Sequence, residues 1–241
     1  MRGALTDRSD VTVWGESSER AFLFVHGMGG SKADAEMFAQ RATRHGWQTV
    51  SVDLPPALLP WECVPFLQDA VAMMREQWPT IGLHATSIGA WFSTRALSGQ
   101  PLAGALLQSP VLDMVGMIEQ MMASAGVTRD ELESAGEISA AEGTVLSWRY
   151  LRWAEQHRVE AWDAPTSIIV GENDELIPRI CVDEFAQRWG AEVRAVPGGA
   201  HWLHLPHELD AVARWEDGSL SREDELDDAF SQVPAIGVAG P

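Results

Sequence analysis

Ile81-Gly82-Leu83-His84-Ala85-Thr86-Ser87-Ile88-Gly89-Ala90 is the stretch on which the fold of this chain turns. Ile81–His84 reads as a short buried strand, and residues 88–98 carry a helical pattern, so a tight turn at Ser87 must join the two. Small residues stand where such a turn crowds the backbone: Gly89 after the serine and Ala85 before it. Ala85 replaces the first glycine of the strand–turn–helix consensus Gly-x-Ser-x-Gly, and alanine is the next smallest choice. A turn of this type strains the serine, exposes its Oγ above the sheet and leaves the Ile88 N–H at the start of a helix. By itself, a serine in a small-residue turn is more often structural than catalytic, so the case depends on what surrounds it.

Outward from that turn, Ala21–Val25, Gln48–Val52, Ala103–Leu107, Thr166–Val170 and Glu192–Val196 read as further strands, and Val11–Trp14 as an antiparallel edge strand. Helical patterns occupy residues 32–45, 63–77 and 180–189. The alternation predicts an α/β architecture, a mostly parallel central sheet with helices on both faces. The connection from Ser109 to Ala164 is far longer than a simple loop. It opens with Val111, Met114, Met117, Ile118, Met121 and Met122 at helical spacing and ends with an aromatic helix carrying Trp148, Tyr150, Leu151 and Trp153. Two readings stand: a helical cap over a pocket, whose methionines would adapt to an acyl or alkyl group, or helices that merely pack onto the body.

Three more segments follow predicted strands. His26-Gly27-Met28-Gly29-Gly30 follows Ala21–Val25, and its glycines would free backbone N–H groups to face a developing oxyanion. The N–H groups of Met28 and Ile88 are the candidates for that hole. The loop has no third glycine in dinucleotide register and no Gly-Lys-Ser/Thr, which argues against a nucleotide site. Gly171-Glu172-Asn173-Asp174-Glu175 follows Thr166–Val170 and offers three carboxylates at the C-terminal edge of the sheet, where sites of open α/β folds collect. Pro197-Gly198-Gly199-Ala200-His201-Trp202 follows the last strand, and among seven histidines His201 stands in a small-residue loop there. Imidazole is the group suited to take and return a proton near neutral pH. His201, His204 and His207 could suggest a metal site, but Pro206 interrupts the series and no His-Glu-x-x-His occurs. No metal or other cofactor is expected.

With 241 residues, 46% of them apolar and 22% charged, the chain is sized for one large core. Met1–Asp10 mixes charges without an apolar run, and no later stretch is apolar for long enough to span a bilayer, so neither a signal peptide nor a membrane partner is expected. A formal net charge of −18 disfavours nucleic acid. Cys63 and Cys181 are far apart, without metal-type spacing, and read as unpaired thiols of a cytoplasmic protein, monomeric or homodimeric. Glu216, Asp217, Glu223, Asp224, Glu225, Asp227 and Asp228 outnumber Arg222 near the end. The expected layout is therefore one domain over residues 1–216, with the cap at about 111–163, and a disordered acidic tail over 217–241.

The order Ser87, then a carboxylate of the Glu172–Glu175 segment, then His201 resembles the α/β-hydrolase superfamily over about residues 10–212. The matching segments are His26–Gly30, Thr86–Gly89, Gly171-x-x-Asp174 with Ile177-Pro178, and Gly199–Trp202. The chain is most similar to small bacterial esterase-like hydrolases that share Ser109–Met114 and a Ser147–Leu151-like segment in a short helical cap. The resemblance implies an eight-stranded sheet and a Ser87–His201–Asp174 triad, selecting Asp174 over Glu172 and Glu175; a short carboxylate also suits a fixed orienting role. His26, Met114, Met117, Trp148 and Trp202 are the side chains expected around a small-molecule acyl substrate. The function expected is hydrolysis of a small to medium carboxylic ester or thioester, as by a carboxylesterase. Its rival is a non-catalytic small-molecule-binding protein on the same scaffold.

Overall fold

The computed structural model describes residues 8–140 and 144–231. Its central sheet has seven strands: β1 (Val11–Trp14), β2 (Arg20–Val25), β3 (Gln48–Val52), β4 (Thr80–Thr86), β5 (Ala105–Gln108), β8 (Thr166–Gly171) and β9 (Glu192–Val196), in the order β1-β3-β2-β4-β5-β8-β9. Only β1 runs antiparallel, pairing Val11 with Val52 and Trp14 with Thr49. The eighth strand implied by the resemblance is absent among the described residues. Ahead of β2 the chain supplies β1 alone among those residues, and just upstream of it Arg8 and Asp10 are tied to each other by side-chain ion pairing.

The strands alternate strictly, which sorts the helices onto two faces. Ala21, Leu23 and Val25 face one core with Leu83, Leu107, Ile168 and Val170, under α2 (Pro60–Met74), α3 (Ile88–Ala96) and α7 (Arg179–Trp189). Phe22, Phe24, Leu106 and Ile169 face the other, under α1 (Glu36–Arg44) and α8 (Pro206–Ser231). Helix α2 begins at Pro60, three residues before the predicted start, because proline at a first helical position loses no hydrogen bond. The predicted helix over 32–45 divides into a 3-10 turn, Lys32–Ala35, and α1.

The insertion between β5 and β8 has more structure than two helices. It holds α4 (Met114–Ala125), α5 (Arg129–Ala135), the hairpin β6 (Glu137–Ser139) and β7 (Val145–Ser147), and α6 (Trp148–Gln156). Asp113 caps α4 through the Gly116 N–H, and Thr128 with Glu131 forms a capping box on α5. Met114, Ile118, Met122, Leu151 and Ala154 are buried in the α2/α3 core. Tyr150 stacks on Trp91 with ring centroids 5.8 Å apart, and Trp153 meets the same indole edge-on at 5.7 Å. Much of the methionine and aromatic pattern therefore serves to pack the insertion onto α3.

The acidic end departs from expectation. Helix α8 runs through residue 217 to Ser231, and Leu220 is fully buried beside Val212 and Trp215. Glu216 is also buried: Arg41 Nε pairs with one carboxylate oxygen at 2.5 Å and His84 Nε2 lies 3.1 Å from the other. Helical spacing of 212, 215/216 and 219/220 thus docks this segment, and the domain does not end at 216. Residues 232–241 of the expected tail lie outside the described residues. No helix among the described residues is long and apolar enough to cross a membrane.

Candidate active site

Ser87 joins β4 to α3 with φ 51° and ψ −121°, a backbone conformation that costs an L-residue about 1–3 kcal/mol. The strain is held from three sides. The Ser87 N–H donates to the Gln108 carbonyl at 2.9 Å, and the Ser87 carbonyl accepts from Val111 N–H at 3.0 Å and Ala90 N–H at 3.1 Å. Glycine at 89 is a steric necessity: a Cβ there would lie 2.3 Å from the His26 carbonyl oxygen and 2.9 Å from that of Val25. The same close approach sets the loop 26–30 against the serine, since a Cβ on Gly27 would lie 3.2 Å from Ser87 Cβ.

Ser87 Oγ is 3.0 Å from His201 Nε2, and His201 Nδ1 is 2.8 Å from Asp174 Oδ2. An ionised carboxylate only accepts, so Nδ1 carries the proton and Nε2 of the neutral ring accepts from the Ser87 hydroxyl. The other oxygen, Asp174 Oδ1, accepts from Leu176 N–H at 2.9 Å and Ile177 N–H at 3.0 Å. Those two bonds are why the carboxylate cannot swing away from the ring, and they explain why the segment after Asp174 matters. Glu172, the rival carboxylate, accepts instead from Gly198 N–H at 3.0 Å and fastens the histidine loop; Glu175 is exposed. His204 and His207 are exposed, whereas His201 is buried.

The two N–H groups singled out for an oxyanion, Met28 and Ile88, make no hydrogen bond among the described residues. The side chains expected around a substrate have varied fates. His26 is buried with both ring nitrogens committed: Nδ1 donates to the Gly27 carbonyl at 2.7 Å and Nε2 accepts from Leu54 N–H at 3.0 Å. It braces the glycine loop against the turn after β3 and has no proton to offer a ligand. Met114 is buried in the core, and Met117 and Trp148 pack half-buried against it. Trp202 is 64% exposed and meets the His201 ring edge-on at 5.8 Å.

Glu208 is the residue of the candidate site that sequence reasoning misses. Fully buried, it accepts from Ala200 N–H at 2.9 Å and from Leu205 N–H at 2.8 Å, closing the loop that carries His201. These donors, Leu205 first, hold its carboxyl below the ordinary value. The signal is there in Leu205-Pro206-x-Glu208: proline at a first helical position and glutamate at the third, where it reaches back to the backbone.

A family model described as the alpha/beta hydrolase family matches residues 22–215. The chain belongs to this family. Solved structures with the same fold include Est1E from Butyrivibrio proteoclasticus, at TM-score 0.72 and 16% identity over 88% of this chain and 92% of that one. Est1E is also known with ferulic acid bound. A monoacylglycerol lipase from Paleococcus ferrophilus matches at TM-score 0.63 and 14% identity, covering 88% of this chain and 98% of its own. Alpha/beta hydrolase domain-containing protein 10 from mouse matches at TM-score 0.64 and 19% identity, covering 91% and 94%. At such identities these neighbours speak for the fold. A search of curated proteins gives no match.

Proposed function

We propose that this α/β hydrolase is a serine hydrolase that cleaves a small to medium carboxylic ester or thioester. The observation that carries the reading is the unbroken relay from Ser87 Oγ through His201 to Asp174, at 3.0 Å and 2.8 Å. His201 Nε2 takes the hydroxyl proton as Ser87 Oγ attacks the acyl carbon, and Asp174 stabilises the imidazolium. The Met28 and Ile88 N–H groups receive the oxyanion. Collapse of the tetrahedral species breaks the bond to the alkoxide or thiolate, which leaves with the proton from His201. Water, deprotonated by the same ring, then attacks the acyl-enzyme, releases the carboxylic acid and restores Ser87.

The esterases and lipases among the structural neighbours support ester hydrolysis as the reaction class. The wide separation of Cys63 and Cys181 in the sequence, without metal-type spacing, supports a reducing, cytoplasmic compartment. The test is a fluorophosphonate probe on wild type and Ser87→Ala, followed by p-nitrophenyl esters of increasing chain length. Labelling and turnover in wild type, both lost in Ser87→Ala, are expected. Wild-type protein that neither labels nor turns over an ester and thioester panel would replace this reading with the non-catalytic binding protein.

A further inference from the structure

Of the eleven tryptophans, Trp202, the residue after His201, is exposed; the others are buried or half-buried. The half-exposed indoles are covered by the chain itself. Trp61, Trp148 and Trp189 each lie under an arginine guanidinium, at 3.7, 5.7 and 4.6 Å, Trp153 is stacked on His157 at 3.9 Å, and Trp14 packs against the α1/α8 core with its Nε1 bound to Ser51. Trp202 has no such cover among the described residues: its ring contact is the edge-on one with His201, at 5.8 Å, and neither indole face carries a ring or a guanidinium. The next residue keeps it outside. Leu203 takes φ 44°, a left-handed turn that puts its own side chain into the α1/α8 core and leaves Trp202 on the surface. A lone exposed apolar side chain is ordinary, but an uncovered indole presented by such a turn beside a catalytic base is not.

The reaction assigns this side of the site to one half of the substrate. An acyl substrate has two arms, the acyl chain and the leaving group, and it is the leaving atom that must come within about 3 Å of His201 Nε2 to take its proton. The group attached to that atom therefore lies next to the His201 ring, within van der Waals reach of an indole centred 5.8 Å from it. Met28 and Leu176, 62% and 53% exposed, add apolar surface on the other two loops that meet around Ser87 and His201. The acidic groups of these loops are largely spent: Asp174 on His201 and the 176–177 turn, Glu172 on Gly198 N–H, Glu208 on Ala200 and Leu205 N–H. Glu175, exposed beside Leu176, is the carboxylate left over. Apolar side chains outnumber it at this rim, so the open indole face suits a flat uncharged group better than a cation.

We propose that Trp202 is the platform for the leaving group and sets specificity for it: the favoured substrates are esters or thioesters of an aromatic alcohol or thiol, whose ring lies on the Trp202 indole while the leaving oxygen or sulfur faces His201 Nε2. This rests on the serine-hydrolase reading. In acylation Ser87 Oγ bonds to the acyl carbon, the bond from that carbon to the leaving oxygen or sulfur breaks, and the departing atom keeps the electron pair and takes the proton from His201. The aromatic group is then gone. Trp202 therefore acts on acylation and not on the attack of water on the acyl-enzyme. That asymmetry separates a platform from a brace on His201, because a displaced base would slow both steps.

The experiment holds the acyl group constant as butyrate and varies the leaving group: 2-naphthyl butyrate, 2,2,2-trifluoroethyl butyrate and butyrylcholine. Trp202→Ala should lower kcat/KM for the naphthyl ester about tenfold more than for the trifluoroethyl ester. Trp202→Phe keeps an aromatic face and should restore most of that difference. Breakdown of the butyryl-enzyme, common to all three esters, should change far less than acylation by the naphthyl ester. Binding of 2-naphthol to Ser87→Ala protein, followed by naphthol fluorescence, should weaken when Trp202→Ala is added, which reads the platform without turnover. Wild type that fails to label with fluorophosphonate would sink the serine-hydrolase reading. The platform itself falls if naphthol binding is indifferent to Trp202, if the naphthyl ester is unaffected, if all three esters fall alike with slowed butyryl-enzyme breakdown, or if butyrylcholine is the ester lost most.

Discussion

Replacing Asp174 by Asn tests the orientation of the base, and a count of donors and acceptors sets the size of the effect. The native carboxylate accepts three bonds, from Leu176 N–H, Ile177 N–H and His201 Nδ1–H. An Asn side chain has one acceptor atom for two places that both need one. With its oxygen left on the 176–177 turn, its NH₂ faces Nδ1, which must give up its proton; the ring then carries hydrogen on Nε2, pointing at Ser87, and the base is lost. With the amide flipped, the ring is satisfied but NH₂ opposes two backbone N–H groups, and the turn loses both bonds. The first arrangement disturbs one partner and the second two, so the inactive tautomer wins. The expected fall in kcat is about 10⁴-fold with KM little changed. Loss of charge-assisted bonds should lower stability by about 1–3 kcal/mol. Turnover of p-nitrophenyl butyrate across pH, with thermal melts alongside, measures both. A kcat within tenfold of wild type, or a larger loss from Glu172→Gln, would refute the assignment of the orienting carboxylate to Asp174.

Further outcomes follow from the same geometry. Ser87→Gly should abolish turnover yet stabilise the fold by about 1 kcal/mol, roughly 2–4 °C in Tm, because glycine relieves the strain at φ 51°; an unchanged or lower Tm would show that the elbow is not strained. Gly89→Ala must move the His26 carbonyl and α3 apart by about 1 Å, at about 1–3 kcal/mol, and should cut kcat about 10²-fold by parting Ser87 from His201; wild-type kinetics would contradict the contact. Glu208 has a folded pKa below its ordinary 4.5, so its contribution is complete above that value and drains away as pH falls through the lowered one. Glu208→Gln should therefore flatten the acid side of the Tm–pH curve, and an unchanged acid slope would remove Glu208 from the account.

How far the site can be read from the chain depends on whether each residue's role is local. Ser87, Asp174 and His201 each follow a strand within a few residues, and strand ends are legible because alternation and small-residue turns are short-range signals. Asp174 is separated from Glu172 in the sequence mainly through family likeness, since the bonds that distinguish them go to Ile177, three residues on, and to Gly198, in the next loop. Helix α8 is hidden because its acidic run looks solvated; the residues whose side chains meet Glu216, Arg41 and His84, come from distant parts of the chain. The cap methionines form a real helical stripe, but a stripe tells that a face is buried and not what buries it, and Met114 and Met122 go to the core. His26 looks like a pocket residue because it precedes the glycine loop; that Leu54 occupies its ring is a tertiary fact.

The buried meeting of His84, Glu216 and Arg41 decides where this protein can be cut or tagged. Charge composition invites truncation after residue 216, yet that cut would strip Leu220 from the core, a loss of about 2–5 kcal/mol even for its side chain alone, and leave Glu216 beside a new chain end. His84 lies on β4 three residues before Ser87, with Phe24 stacked on it at 4.9 Å and Trp215 of α8 against its edge at 6.0 Å. One strand therefore grips the last helix on its back and presents the serine at its tip. An alteration made more than a hundred residues downstream in the chain is made, in space, behind the strand that carries Ser87.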